Sequence, residues 1–343
     1  MLKEDRPRHS VGATTQTGCG MTTSAEMLSV RAAELYYEES KTQDEIGSLL
    51  GLTRWKVGRL LSQARELGIV RIEIVHPRAR KLSLERELCE RFSFTDAVVV
   101  PSPTDGSSVA DRVAEAAADY LRALRPVPRT LGVSWGRTVD AVAEHLPQGW
   151  ARGVDVVQIN GGVSLNRRAG TAASTAVAIA RSGGGQATLL PSPAILEHRE
   201  TRLAIEADRT VAGVLERAAG ASAYLYSAGV ADASSVLVDS GYLSPEDIAQ
   251  LVARGAVGDV VGRYIDADGN IVDNELDERT VGVSLAQLRS ATVAIAVISG
   301  EPKHAIARAV VSSSLCSVFI TDEATARAVL DYPDSGTTIH ESS

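Results

Sequence analysis

Beyond residue 130 the chain carries three glycine-bearing turns with the residue types that hold anions. Gly132-Val133-Ser134-Trp135-Gly136-Arg137-Thr138 lies between an apolar run and a helical pattern. Its backbone N–H groups would stand at a helix N-terminus, where a phosphate or carboxylate is favoured, and Ser134, Arg137 and Thr138 add donors. Asn160-Gly161-Gly162 and Ser299-Gly300-Glu301-Pro302-Lys303 also follow apolar runs. Loops at the carboxyl ends of parallel strands can converge on one crevice, the usual ligand position in open α/β sheets. Asp259 could then accept sugar hydroxyls, and Arg263 or Lys303 could meet a phosphate. The bland alternative for Asp259 and Arg263 is a surface i,i+4 pair. The GxxxxGK[ST] spacing of a P-loop is absent, so the chemistry suggested is anion binding rather than nucleotide hydrolysis.

A second set of residues suggests a different ligand. Between Thr53 and Arg71 stand Arg54, Lys56, Arg59, Arg65 and Arg71 against the single acid Glu66, inside a chain of net charge −8. Leu52, Val57, Leu60, Leu61 and Ala64 would share one helical face, leaving Arg54, Trp55, Lys56 and Arg59 outward. Such a helix can lie in the major groove of DNA, with arginine on guanine edges and lysine on phosphates. Thr42 and Gln43 would open the preceding helix and could hold a phosphate there. A protein-interaction domain with a solvated basic face fits the same pattern, and Trp55 could equally pack on the first helix.

Other chemistries find little support. The six histidines (9, 76, 145, 198, 304 and 340) show no metal-ligand spacing, and there is no GxSxG elbow. Cys19, Cys89 and Cys316 are far apart and odd in number, which argues against a zinc site or a disulfide framework and suits a reducing cytoplasm. Asp266-Ala267-Asp268-Gly269-Asn270 has its glycine misplaced for an EF-hand and reads as a hairpin turn. No catalytic residue, metal or cofactor is expected. No run of about 18 apolar residues exists to span a membrane, and residues 1–24 lack the apolar stretch of a secretory signal.

The elements that must position these residues follow from periodicity and caps. A helix is expected over residues 25–38 on an apolar stripe of Met27, Val30, Ala33, Leu35 and Tyr37. Thr42 with Glu45 is a capping box for a second helix ending at Gly51, and Thr53 caps a third that stops at Gly68. Alternation over 69–75 reads as a strand, a short wing. Residues 78–93 read as a linker helix. Beyond residue 94, apolar strands at 97–100, 130–133, 154–159, 187–190, 223–227, 293–297 and 317–320 alternate with helical patterns. These patterns cover 109–124, 138–146, 172–180, 202–218, 245–253 and 305–311. Such alternation implies a mostly parallel sheet covered on both faces. The expected organisation is a disordered tail (1–24), a winged helix-turn-helix domain (25–77), the linker helix, an α/β ligand-binding domain (94–331) and a polar tail (332–343).

The run LYYEESKTQDEIGSLLGLTRWKVGRLLSQARELGIVRIEIVHP, followed by GVSWGRT, VVQINGG, AVGDVVGRYIDADGN, SGEPKHAIARAV and FITDEATARAVL, resembles the SorC family of sugar-responsive regulators over residues 27–331. The family often has Pro where Trp55 stands and Ser where Gly58 stands. Some relatives carry a basic residue at Asn160, and a glycine-containing turn is commoner at Glu301-Pro302. The resemblance implies a Rossmann-like, phosphosugar-isomerase-like effector domain behind the helix-turn-helix, and a recognition helix that begins at Thr53. It also implies a small phosphorylated sugar as effector and double-stranded operator DNA as target, bound by a homo-oligomer (dimer or tetramer). By analogy, the loop Ser134-Trp135-Gly136-Arg137-Thr138 and Lys303 would hold phosphate, and Asn160, with Gly161 and Gly162, and Asp259 would meet the sugar. The enzymatic alternative is a sugar-phosphate isomerase, and a third is a sugar-binding scaffold without DNA affinity.

Overall fold

The computed structural model describes residues 20–70, 80–102, 108–162 and 172–331. The chain divides into two compact units, Met1–Val75 and His76–Ser343. The tails 1–19 and 332–343 lie outside the described residues, as does the expected wing beyond Val70.

In the first unit, α1 (Gly20–Ala33) runs into a π-helical segment, Glu34–Glu38, before α2 (Gln43–Leu50) and α3 (Arg54–Glu66). Thr42 and Thr53 cap the latter two as their sequence demands, and Gly51 ends α2 at φ +66°. Ala32, Leu35, Ile46, Val57, Leu60, Leu61 and Ala64 form the core of this unit. Met27 and Tyr37, expected inside, are exposed. Tyr37 lies in the π segment, whose wider i→i+5 turn departs from the 3.6-residue stripe on which that expectation rested.

The second unit is built on a seven-stranded sheet in which every pairing is parallel. Along the chain come α4 (Leu82–Phe92), β1 (Asp96–Val100), α5 (Val109–Ala123), β2 (Thr130–Val133), α6 (Arg137–His145) and β3 (Asp155–Gln158). Next are α7 (Ala172–Ser182), β4 (Ala187–Thr188), α8 (Arg199–Ala207), α9 (Arg209–Ala219), β5 (Ala223–Tyr226) and β6 (Ala228–Val230). They are followed by α10 (Val236–Asp239), α11 (Pro245–Ala253), β7 (Gly258–Val260), β8 (Arg263–Ile265), α12 (Asn274–Asp277) and α13 (Leu285–Ser290). The unit ends with β9 (Ala294–Val297), α14 (His304–Ser312), β10 (Val318–Asp322) and α15 (Glu323–Leu330).

The sheet order is β1-β10-β9-β5-β2-β3-β4. Alternate side chains of each strand enter opposite cores, as the period of two requires. Val98, Val100, Leu131, Val133 and Leu225 pack with α5, α6 and α7. Ala97, Val99, Tyr224, Tyr226 and Phe319 pack with α4, α9, α13, α14 and α15. Strand succession reverses between β2 and β5, the switch point where ligands of such sheets bind.

Two expectations are corrected here. The stretch 202–218 is not one helix: Asp208 is extended (φ −62°, ψ 133°) and caps α9 by accepting from the Thr210 N–H. The expected linker helix is α4, which packs on β1 through Leu84 and Leu88. Its Glu85 carboxylate accepts from the Val99 N–H (2.9 Å) and pairs with Arg80 (2.7 Å).

A small antiparallel sheet, β6-β7-β8, caps the carboxyl ends of the main strands. It rests with α10, α11 and α12 on a separate core of Leu237, Leu243, Ile248, Leu251 and Tyr264. The Asp266–Asn270 segment is a turn, as expected: the Asp266 carboxylate accepts from the backbone of Asp268 and Asn270, and Ile265 bridges Ile271.

Candidate functional site

The loops leaving β2, β3, β5 and β9 meet the cap in one cleft, with Ser134, Trp135, Gly136, Arg137, Thr138, Asn160, Asp259 and Lys303 in its lining. Gly136 stands at φ +131° as the N-cap of α6 and makes no side-chain cap, so the first N–H groups of that helix face the cleft uncapped by a side chain. Ser134 is buried and its hydroxyl has no partner among the described residues; the same holds for the Asn160 Oδ1. Buried polar atoms left without partners are expensive unless a ligand or water completes them. The Trp135 indole N–H donates to the Gly161 carbonyl (2.7 Å), closing one side, and Arg137 reaches the Ser234 carbonyl in the cap (3.2 Å).

Lys303 enters from the turn after β9. Gly300 (φ +92°) opens that turn, and its N–H donates to the buried Asp322 carboxylate (2.9 Å). The ammonium lies 3.4 Å from the Thr138 hydroxyl and 3.3 Å from that of Ser227. Burial pushes Lys303 down to about 8, against the pull of Asp259 and with the help of Arg137. Burial pushes Asp259 up to about 6, opposed by the Gly262 N–H it accepts (2.9 Å) and by Lys303. The two groups are thus held near the middle of the pH scale, as is common where a ligand is bound.

Three expected site residues lie elsewhere. Gly161 and Gly162 pair with the backbone of Val281 and Ser192 and so stitch the end of β3 to the segments that follow α12 and β4; a Cβ on Gly161 would come within 2.1 Å of the Pro193 carbonyl. Arg263 is buried and points away from the cleft. Its guanidinium donates to the Val283 (3.0 Å) and Gly282 (3.2 Å) carbonyls and to the Asp277 carboxylate. Val261 (φ +50°) and Gly262 (φ +89°) form a two-residue turn that pairs Arg263 with Val260, so the i,i+4 relation to Asp259 never forms. Conversely, Ser227, Gly229, Ser235 and Leu237 line the cleft although no motif marked them. Gly229 is opposite Asp259, and a Cβ there would lie 2.0 Å from its Oδ1.

A second concavity lies between α5 and the edge strand β1. Its Arg80, Arg112 and Arg125 face Asp96, Glu115 and Asp119. Charge is balanced within it, and it does not draw on the strand-end loops.

In the first unit, Trp55 is 70% exposed and does not pack on α1. The Arg59 guanidinium lies 5.1 Å from its ring centroid. Arg54, Lys56 and Arg59 are exposed along α3, with Arg54 3.5 Å from Asp44. The Thr53 hydroxyl accepts from the Lys56 N–H (3.3 Å). Thr42 is less free than expected: its hydroxyl accepts from the Glu45 N–H and donates to the Glu45 carboxylate, which also takes the Thr42 N–H. A phosphate at that helix end would compete with Glu45. Gln43 lies beside Gly58, facing the α3 surface.

The family model described as "Putative sugar-binding domain" matches residues 76–331. The deoxyribonucleoside regulator of Bacillus subtilis (strain 168) is 31% identical over 307 residues, covering 89% of this chain and 98% of the relative. The sorbitol operon regulator of Klebsiella pneumoniae is 31% identical over 313 residues, covering 88% of this chain and 97% of its own. The crystal structure of full-length SorC, the sorbitol operon regulator from Klebsiella pneumoniae, matches with a TM-score of 0.66 at 29% identity, covering 89% and 98% of the two chains.

Proposed function

The chain belongs to the SorC family of sugar-binding transcriptional regulators, and from that premise we propose how its two units divide the work. The α6 N-terminus and Lys303 hold the phosphate of a small phosphorylated sugar. Ser134, Thr138 and Ser227 supply hydroxyl donors, and Asn160 and Asp259 take the sugar hydroxyls. The observation that carries this reading is the Lys303 ammonium set between the Thr138 and Ser227 hydroxyls, beside a helix N-terminus with no side-chain cap. The α3 helix enters the major groove of double-stranded operator DNA, with Arg54, Lys56 and Arg59 outward and Thr42, Gln43 and Thr53 at the helix starts. A homo-oligomer, dimer or tetramer, sets two such helices at the spacing a palindrome needs. Among the described residues no helix is long and apolar enough to cross a membrane, and reading operator DNA places the protein in the cytoplasm.

Sugar binding can alter DNA affinity only through unequal affinity for the DNA-competent and incompetent states. The test is a fluorescence-anisotropy titration of the full chain against DNA from its own upstream region, at fixed salt, with and without a panel of sugar phosphates and their unphosphorylated counterparts. Sequence-selective binding shifted by a phosphorylated compound, and not by its neutral counterpart, supports the reading. A protein that binds the phosphorylated compound without any change in DNA affinity would sink it.

One observation favours an enzymatic reading. Asp259, pushed up to about 6 and facing the cleft, is in the range of a general base for proton abstraction. Turnover of the same panel by the purified protein would establish it.

A further inference from the structure

Charge alone does not account for the outward face of α3. Trp55 spreads its indole in solvent at the second position of the helix. Arg59 follows one turn later with its guanidinium over the ring, and among the described residues no carboxylate pairs with it. Between them, Gly58 leaves the helix backbone bare. A Cβ at that position would stand 3.4 Å from the Gln43 Oε1, so the Gln43 amide forms the far wall of a shallow concavity. Glycine in a helix interior loses backbone entropy on folding and is disfavoured there. Nothing in the packing of α3 on α1 and α2 requires it: Val57, Leu60, Leu61 and Ala64 carry that interface.

An apolar ring, a bare floor, and an arginine stacked on the ring make a receptor for two adjacent groups of the major groove. The thymine 5-methyl is the apolar group displayed there, and guanine presents O6 and N7 to a bidentate arginine. Stacking on Trp55 limits the rotamers of Arg59 while leaving its N–H edge outward, so part of the ordering is complete before binding. Basic Lys56 and Arg65, exposed on the same helix, supply the charge complementarity with the duplex.

We propose that Trp55, Gly58, Arg59 and Gln43 together read a thymine–guanine step. The thymine methyl rests against the indole over the Gly58 backbone, and Arg59 donates to the neighbouring guanine. This rests on the reading of α3 as the DNA-reading helix.

The test uses the full-length protein and a duplex obtained by selection from a random library, with affinities measured at one stated salt concentration. Each thymine is replaced in turn by deoxyuridine, which removes the methyl and nothing else. The expected result is one thymine per half-site, next to a guanine, whose methyl loss weakens binding by about fivefold or more. Trp55→Ala abolishes that sensitivity, Trp55→Phe keeps part of it, and Gly58→Ala reduces it by raising the floor. Arg59→Lys removes the preference for the adjacent guanine while leaving the salt dependence unchanged. If no thymine methyl matters, or if Trp55→Ala senses it as the parent does, the proposal is overturned and the regulator reading stands. If the protein shows no sequence preference on any duplex, the reading of α3 itself fails and the proposal falls with it.

Discussion

Lys303 is held in a protonation balance that water would not give it. Its cause is burial, and its consequence is a pH window for ligand binding. With Lys303 at about 8 in the free protein, the ammonium that a phosphate dianion requires is present below pH 8 and is lost above it. Ligand affinity should therefore be full below pH 8 and fall about tenfold per unit beyond, until the pKa of the bound state is reached. The phosphate has its own second pKa near 6, so acid weakens it as a dianion on the other side. Calorimetric titrations between pH 6 and 9.5 should show this fall for a phosphorylated sugar and none for its neutral counterpart. The same shifts act on folding with opposite signs. The folded pKa of Lys303 is depressed, so its contribution to stability is present above the unfolded value of 10.5 and lost as pH falls through about 8. That of Asp259 is raised, so its contribution is present below 3.8 and lost as pH rises through about 6. At neutral pH burial works against the charged form of both groups, and an ionic, hydroxyl-rich ligand would relieve them. Gly229 bears on the same pair. In Gly229→Ala the new Cβ would lie 2.0 Å from the Asp259 Oδ1, so the carboxylate must leave its place. Ligand affinity should drop by about tenfold or more, the worth of one charged hydrogen bond, with DNA binding unchanged in an anisotropy assay.

Elements were legible in the sequence where hydrophobic runs were long enough to show a period. The seven expected strands are the seven of the parallel sheet, and the helices at 109–124, 138–146, 172–180, 245–253 and 305–311 stand within a few residues of expectation. What escaped was short or reversed. The strands β6, β7 and β8 have three residues each, too few for alternation to register, and with them went Gly229 and the true direction of Arg263. Ser227 follows a strand as many serines do, and only the three-dimensional approach of Lys303 makes it a site residue. The β10–α15 junction stood within the run FITDEATARAVL, but the role of Asp322 did not show, since its partner lies in another loop. There the Asp322 carboxylate accepts from the Gly300 N–H (2.9 Å), the Thr325 hydroxyl (2.6 Å) and the Thr325 N–H (3.0 Å). It fixes the turn that presents Lys303, although it does not line the cleft. Asp322→Asn replaces one accepting oxygen by an NH₂ group and leaves a donor without its acceptor, a change of about 1–3 kcal/mol. Its melting temperature should fall, and its ligand affinity, measured well below melting, should weaken several-fold. Normal affinity with lowered stability would show that the turn holds Lys303 without Asp322.

At the scale of the whole molecule, an acidic chain carries a local basic helix in one compact unit and the proposed anion cleft in the other. The basic helix was readable from charge placement, because a net charge of −8 leaves any DNA affinity to a local patch. The separation of helix and cleft fixes what coupling must look like. If saturating sugar phosphate changes the DNA dissociation constant by a factor α, saturating DNA must change the sugar phosphate dissociation constant by the same factor. A factor between about 10 and 100 corresponds to roughly 1.4–2.7 kcal/mol of coupling. Two variants separate the terms. Arg59→Ala should weaken DNA binding at fixed salt while leaving the ligand dissociation constant within about twofold, because one phosphate or base contact is lost from a unit that does not contain the cleft. Lys303→Ala should leave DNA binding in the absence of ligand unchanged and remove the response to ligand. Both dissociation constants of each variant, measured with and without the other partner, complete the cycle. A factor different from one in the parent and a factor of one in Lys303→Ala mean that ligand bound through Lys303 sets the DNA affinity. Loss of both activities in both variants would mean that the two units do not act as separate binding modules, and the division of labour proposed above would fall.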